Sequence, residues 1–372
     1  MKRLGDRKSR FVVGLAFVLV LVLQGCSWAA EQPLAKQRGP VKVLPPRHGV
    51  YNAAFPNFGP NESEVSATRL RQFERQAGKP IAWAYFSNNW FRGIHFPVDA
   101  VNTIADQGVI PFIRMMPRSN WRGYGTDPVY TMQRIIDGDF DDDLDQWARD
   151  ARATSIPLMV EFGTEVNGNW FPWNGKWNGG SETDRYGSPR LADGPERFRD
   201  AYRHVIDLFD ARGVNNITWV FHADAESSPS ADWNSMAAYY PGDDYVDWLG
   251  ISVYGPQEPG EQWRSFTPIM DRGYAELAKL ADKKPIALLE FGAIQENGNE
   301  RKAEWIADAL KTVASGRYPR LAAISYWASR WKNGDGSVSD MRLDSSEATQ
   351  RTYRRAVADS FFTSSPRFDT SS

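Results

Sequence analysis

A recurrence constrains this chain more than any other feature. From His48 onward, apolar runs of four to eight residues alternate with helix-length amphipathic stretches. The runs fall at residues 49–53, 81–86, 109–115, 157–162, 217–221, 248–254, 286–291 and 322–327. Most are apolar nearly throughout rather than alternating, as strands covered on both faces have to be. Between them lie helical stretches such as 65–76, 141–152, 195–212, 268–281 and 301–314, with 346–360 after the last run. Strands separated by helical crossovers pair in parallel, not as hairpins. Eight such strands, each followed by a helical stretch, predict a single α/β domain, the (β/α)8 TIM barrel, and 372 residues are enough for one with insertions. An open doubly wound sheet fits less well, because no glycine-rich phosphate turn follows the first run.

The N-terminus reads as an export signal. Lys2, Arg3, Arg7, Lys8 and Arg10 precede an apolar run at 11–23, too short for a comfortable membrane span. The ending Leu23-Gln-Gly-Cys26 resembles a bacterial lipobox, so residues 1–25 are expected to be a lipoprotein signal peptide and Cys26 the lipid-bearing first residue of the mature chain. Ser27 favours the outer membrane; cleavage near Ala29 and Ala30, with free secretion, is the alternative. Cys26 is the only cysteine, so no internal disulfide can form. Pro33, Pro40, Pro45 and Pro46 make residues 26–47 an extended tether, followed by a barrel domain at 48–362 and a tail at 363–372. Loss of residues 1–25 takes the formal charge from −2 to −6, which gives nucleic acid no basic surface. The mildly acidic surface suits a neutral substrate, a membrane is the expected partner through the anchor, and a monomer is the expected state.

A barrel of this kind builds its site at the carboxyl ends of its strands. Two runs deliver a carboxylic acid there. One leads into Gly163-Thr-Glu-Val-Asn-Gly-Asn-Trp-Phe-Pro-Trp173 and places Glu165 among aromatic rings; the other delivers Glu290. The 125 positions between them hold three βα units of roughly 40 residues, so the acids follow strands four and seven and face each other across the barrel mouth. Cleavage of a glycosidic bond needs such a pair, one acid to protonate the leaving oxygen and one carboxylate on the opposite face of the sugar. Aromatic neighbours desolvate Glu165, which favours its protonated form, whereas Glu290 has to remain ionised.

Of 15 tryptophans, Trp170, Trp173, Trp177, Trp327 and Trp331 fall in loops on that face, where flat rings can carry sugar faces. Trp83, Trp147, Trp219 and Trp305 are expected in the core. Asn167 and Asn169 flank Gly168 as hydroxyl readers or turn formers. Loops 174–193 and 329–343 are long enough to wall a cleft. The acidic run from Asp137 to Asp145 lacks the EF-hand's glycine at Asp142 and glutamate at Ala148, and reads as a helix start. Four histidines and one cysteine offer no zinc spacing. No metal and no cofactor are implied.

Four segments carry a resemblance to a known family: 165–173, 239–254, Leu289-Glu-Phe-Gly292, and Tyr326-Trp327 with the downstream 340–345. In this order they resemble glycoside hydrolase family 26, β-mannanase-like enzymes of the retaining clan built on the (β/α)8 barrel. The resemblance implies endo-acting cleavage of a β-linked polysaccharide by double displacement, with Glu165 as acid/base and Glu290 as nucleophile. It implies that the Tyr254 hydroxyl holds the nucleophile and that Trp327 is the floor under the sugar. β-1,4-Mannan leads among the substrates, with mixed-linkage β-glucan and β-1,3-xylan as alternatives. A non-catalytic glycan-binding lipoprotein is the rival from another class. Thr164 stands where many members have histidine, and Trp219-Val-Phe-His-Ala-Asp224 replaces the usual Trp-Val-Trp-Ser-Pro-Asn. With Asn169, Trp170 and Trp173, Thr164 and His222 are therefore candidates at the substrate, the alternatives being that the contact at Thr164 is lost and that His222 is a buried, hydrogen-bonded structural histidine.

Overall fold

The computed structural model describes residues 33–34, 41–121, 124–296 and 300–369. The expected signal peptide, Cys26 and most of the tether lie outside the described residues. Among the described residues, no helix is long and apolar enough to cross a membrane.

Eight parallel strands form a closed barrel: β1 (Val50–Phe55), β2 (Trp83–Asn89), β3 (Ile110–Met116), β4 (Leu158–Phe162), β5 (Ile217–Asp224), β6 (Trp248–Tyr254), β7 (Ile286–Gly292) and β8 (Leu321–Trp327). Each pairs with the next in sequence, and β1 pairs with β8 to close the ring. All eight expected runs are strands, several reaching further at their carboxyl ends. Their residues are buried almost without exception, which is why the runs carry no alternation.

Helix boundaries follow local chemistry. Ser66 caps Ala67–Ala77 by accepting from the Arg69 N–H, and Gly78 ends it in the left-handed region at φ 71°. Asp141, Asp142 and Asp143 form the first turn of Asp141–Thr154, so the acidic run is a helix start. The crossover after β2 uses the eight-residue helix Val98–Ala105, too short to show a clear period in sequence. After β5, a helix-length crossover is replaced by short pieces, of which Met236–Tyr239 is a single turn.

The amino end of the barrel is closed. Tyr51, Trp83 and Trp248 plug it, with ring centroids 6.2–6.5 Å apart. Lys42–Leu44 and Arg367–Asp369 pair antiparallel across that end. The Val43 N–H donates to Thr218 Oγ1 at 2.8 Å, the Trp248 indole donates to the Val43 carbonyl at 2.8 Å, and Lys42 pairs with Asp247 at 2.7 Å. The packed domain therefore extends beyond 48–362 at both ends. Residues 42–44 are not tether and 367–369 are not a free tail, because Val41 and Val43 bury their side chains against the barrel floor.

One irregularity positions a functional side chain. Between β6 and β7 the register runs from Ile251↔Leu288 to Ser252↔Glu290, skipping Leu289. Such a bulge re-aims the residue that follows it. Leu289 fills the space over Gly250, where a Cβ would meet its Cδ1 at 2.2 Å.

Candidate active site

The carboxyl ends of the strands open into a cleft of about 630 Å³ that holds both Glu165 and Glu290. Trp170, Phe171, Tyr254, Trp327 and Trp331 line it, and Trp121 and Tyr124 stand at its rim, 46% and 75% exposed.

Glu165 is presented by a strained turn. β4 ends at Phe162; Gly163 at φ 68° and Glu165 at φ 46° then turn the chain through the left-handed region. For a glutamate this costs about 1–3 kcal/mol, so its surroundings have to hold it. They do so through backbone bonds from Gly163 N–H to the Met115 carbonyl (3.0 Å), Val166 N–H to the His222 carbonyl (3.1 Å) and Gly168 N–H to the Glu165 carbonyl (2.8 Å). Glu165 is 7% exposed, and Trp170 donates its indole N–H to Oε2 at 2.7 Å.

Glu290 stands among charges instead. Tyr254 donates its hydroxyl to Oε2 at 2.6 Å, and the Arg114 guanidinium lies 3.2 Å from Oε1. Arg114 also pairs with Glu62 at 2.8 Å and Glu161 at 3.5 Å, all within the barrel mouth. Burial pushes the Glu290 carboxyl up; Arg114 pulls it down and the nearby Glu165 raises it again, leaving it at about 7. Tyr254 helps the ionised form as expected, but burial and Glu165 outweigh it. The same burial and the Glu290 charge push the Tyr254 hydroxyl well above its ordinary value, keeping it a donor.

Behind this pair lies a buried polar cluster. His222 Nδ1 is 2.9 Å from Glu161 Oε2 and 2.8 Å from Thr164 Oγ1, while Nε2 is 2.9 Å from Ser252 Oγ. Tyr85 donates to Glu161 at 2.5 Å. Burial disfavours charge on His222, yet Glu161 more than compensates and raises it above the ordinary imidazole value. Glu161 is held below the usual carboxylate range against its own burial, chiefly by His222 and Arg114.

Of the residues expected at the substrate, Glu165, Glu290, Trp170, Tyr254 and Trp327 do meet in one cleft. Trp327 is backed by Phe55, stacked at 4.1 Å, and by the Arg114 guanidinium at 5.0 Å. Thr164, Trp173 and His222 do not reach it. They are buried, at 1% exposure or less, and their polar atoms are turned inward: Trp173 donates to the Thr164 carbonyl at 2.8 Å and stacks on Phe171. Asn169 is half-buried beside the cleft and accepts from Ser228 Oγ at 3.3 Å. Asn167 is fully buried, a brace between loops. Trp83, Trp147, Trp219 and Trp305 are core residues, as expected.

Sequence reading missed Arg114, Glu161 and Tyr85. Its one available signal was a charge inside an otherwise apolar strand, which two of them supply: Arg114 in β3 and Glu161 in β4.

Glu165, His222 and Glu290 place one donor atom each within 4.8 Å of the others, a spacing a metal ion could use. Both imidazole nitrogens are already engaged, however, and Arg114 and Tyr254 occupy the Glu290 carboxyl. The donor set suits a proton-exchanging acid pair better than a cation.

Comparison with known proteins places this arrangement. The profile of glycosyl hydrolase family 26 matches residues 129–303. Endoglucanase H from Acetivibrio thermocellus is 26% identical over 83% of the chain and 31% of its own length. A mannan endo-1,4-beta-mannosidase from Bacillus subtilis is 23% identical over 70% of the chain and 59% of its own length. The chain thus spans 31% and 59% of these two relatives' own lengths. Among solved structures, the catalytic domain of a family 26 endo-beta-1,4-mannanase from Bacillus sp. JAMB-750 shares the fold, with a TM-score of 0.60, 19% identity and coverage of 85% and 87% of the two chains. With carboxylates at the ends of β4 and β7, the chain is similar to glycosyl hydrolase family 26, whose profile it matches over residues 129–303.

Proposed function

We propose that the chain is an endo-acting, retaining glycoside hydrolase that cleaves a β-linked polysaccharide by double displacement. The observation that carries this is the close approach of the two acids: an oxygen of Glu165 and one of Glu290 lie within 4.8 Å in an aromatic cleft. Retaining enzymes hold their carboxyls at about 5–5.5 Å, whereas inverting ones leave about 6.5–9.5 Å for a water. In the first step Glu290 attacks the anomeric carbon, the glycosidic bond breaks, and Glu165 gives its proton to the leaving oxygen. In the second, Glu165 takes a proton from water, whose oxygen displaces Glu290. The Trp170 N–H fixes one Glu165 oxygen and leaves the other to meet the substrate. Trp327, backed by Phe55, is the floor beneath the reacting sugar.

β-1,4-Mannan is the leading substrate, by analogy with the mannan endo-1,4-beta-mannosidases among the relatives. A β-glucan is the second reading, supported by the match to Endoglucanase H over 83% of the chain and by the burial of Thr164 where many family members present histidine. Purified protein assayed on mannan, glucomannan, mixed-linkage glucan and β-1,3-xylan decides between them. Oligosaccharides released from one polymer, with the β-anomer first by proton NMR, are the expected result. No product from any polymer, in keeping with a glycan-binding protein, or the α-anomer first, overturns the reading.

The lipid anchor at Cys26 is part of the proposal and rests on Leu23-Gln-Gly-Cys26. Cys26→Ser should move the protein from the membrane fraction to the soluble exported one; an unchanged membrane fraction contradicts the anchor.

A further inference from the structure

A third carboxylic acid stands beside the proposed catalytic pair. Asp224 is the last residue of β5, half-buried, and its backbone is clamped by Asn167, whose amide accepts from the Asp224 N–H at 2.7 Å and donates to its carbonyl at 2.9 Å. Asn167 lies two residues beyond Glu165, so one side chain ties the Glu165 turn to Asp224. One Asp224 oxygen, Oδ1, accepts the Glu226 N–H at 2.8 Å; among the described residues the other has no partner. Glu226, the next acid along, is already paired with Arg264 and Arg272, each at 2.6 Å.

Asp224 lines an adjoining cleft of about 520 Å³. Trp170, Tyr254, Gln257 and Glu261 line both this cleft and the one holding Glu165 and Glu290, so the two are continuous. Trp170, on the shared wall, is the residue that donates to Glu165. In a double displacement the departing sugar lies on the side of the acid/base, away from the nucleophile. The Asn167 clamp ties the Asp224 end of the adjoining cleft to the Glu165 turn, and the shared wall also carries Tyr254, which holds Glu290.

We propose that Asp224 binds the sugar on the leaving-group side of the scissile bond, its free carboxyl oxygen meeting a ring hydroxyl of the unit that departs when Glu165 protonates it. This rests on the hydrolase reading above and names a residue that reading does not need. Burial and the charge of Glu165, with smaller contributions from Glu226 and Glu290, push the Asp224 carboxyl well above its ordinary value. The group therefore holds its proton to higher pH than an ordinary aspartate, and in its protonated form offers a donor and an acceptor together, as a sugar hydroxyl requires. An asparagine amide offers the same pair; an alanine offers neither.

The test compares Asp224→Ala and Asp224→Asn with wild type on two substrates. One is the best polysaccharide from the panel; the other is a short aryl glycoside whose nitrophenol leaving group puts no sugar in the adjoining cleft. Asp224→Ala is expected to lower kcat/KM on the polysaccharide about tenfold or more and to leave the aryl glycoside nearly unchanged, because only the polymer loses a bound hydroxyl. Asp224→Asn should restore most of the polysaccharide activity. Equal losses on both substrates, no loss on the polymer, or failure of Asn to rescue overturns the proposal. Melting temperatures separate misfolding from lost binding. Inactivity of wild type on every substrate sinks the hydrolase reading instead, and the two failures are distinguishable.

Discussion

The two halves of the cleft hold their carboxyls by different means. On the β4 side, Glu165 sits on a left-handed turn, its carboxyl touched by one indole N–H and surrounded by rings. On the β7 side, Glu290 follows a bulge in a fully buried strand and faces an arginine, a tyrosine hydroxyl and, behind them, a chain of buried charges. An acid that has to give up and retake a proton benefits from surroundings that do not commit it to one state. A nucleophile needs its position fixed and its charge supported; the network fixes Glu290, and Arg114 and Tyr254 offset part of the burial that raises its carboxyl to about 7.

Removing each acid tests that difference first, and with the largest effects. Glu290→Ala should abolish turnover of every substrate, whatever its leaving group. Glu165→Ala should cost on the order of 10²–10⁴ in kcat on polysaccharide, but much less on aryl glycosides whose leaving group needs no proton. Equal sensitivity of the two variants to leaving group would erase the distinction between the two sides.

Arg114→Met attacks the network itself. It strands Glu62, Glu161 and Glu290 without their shared counter-charge, and unfolding stability should fall by about 3–5 kcal/mol. Chemical denaturation measures this; an unchanged midpoint would mean that the network has no structural role.

Tyr254→Phe is expected to do less, costing roughly ten- to a hundredfold in kcat/KM, since a hydrogen bond to a charged group is worth about 1.5–3 kcal/mol. It should also shift the pH profile. Attack requires ionised Glu290, so with that carboxyl at about 7 the wild-type kcat/KM should rise as pH increases through neutrality and fall away on the acid side. Loss of the tyrosine donor removes a stabiliser of the carboxylate, so the variant's rise should lie at higher pH. Trp170→Phe should be mildest, keeping the ring but not the N–H, with a loss of several-fold confined to substrates with poor leaving groups.

Legibility in the sequence follows the same physics. The strands were readable because a barrel buries both faces of each, leaving uninterrupted apolar runs, and the placement of Glu165 and Glu290 followed from counting them. What lay hidden was orientation. Trp173 and Trp170 share a loop, and only the packing of Phe171 on Trp173 shows which ring turns inward. Arg114 and Glu161 were absorbed into apolar runs, although a lone charge in a buried strand has to find partners across the barrel. The pairing of residues 42–44 with 367–369 joins segments at opposite ends of the chain, which no local pattern announces.

Trapping the intermediate tests the central claim most directly. A 2-deoxy-2-fluoro glycoside of the preferred sugar, carrying a reactive leaving group, should form the glycosyl-enzyme and release it only slowly. Mass spectrometry of the digested protein should then find one added sugar, on the peptide containing Glu290 and absent from Glu290→Ala. With turnover of the polysaccharide established, the absence of any adduct, or an adduct on another residue, would contradict double displacement through Glu290.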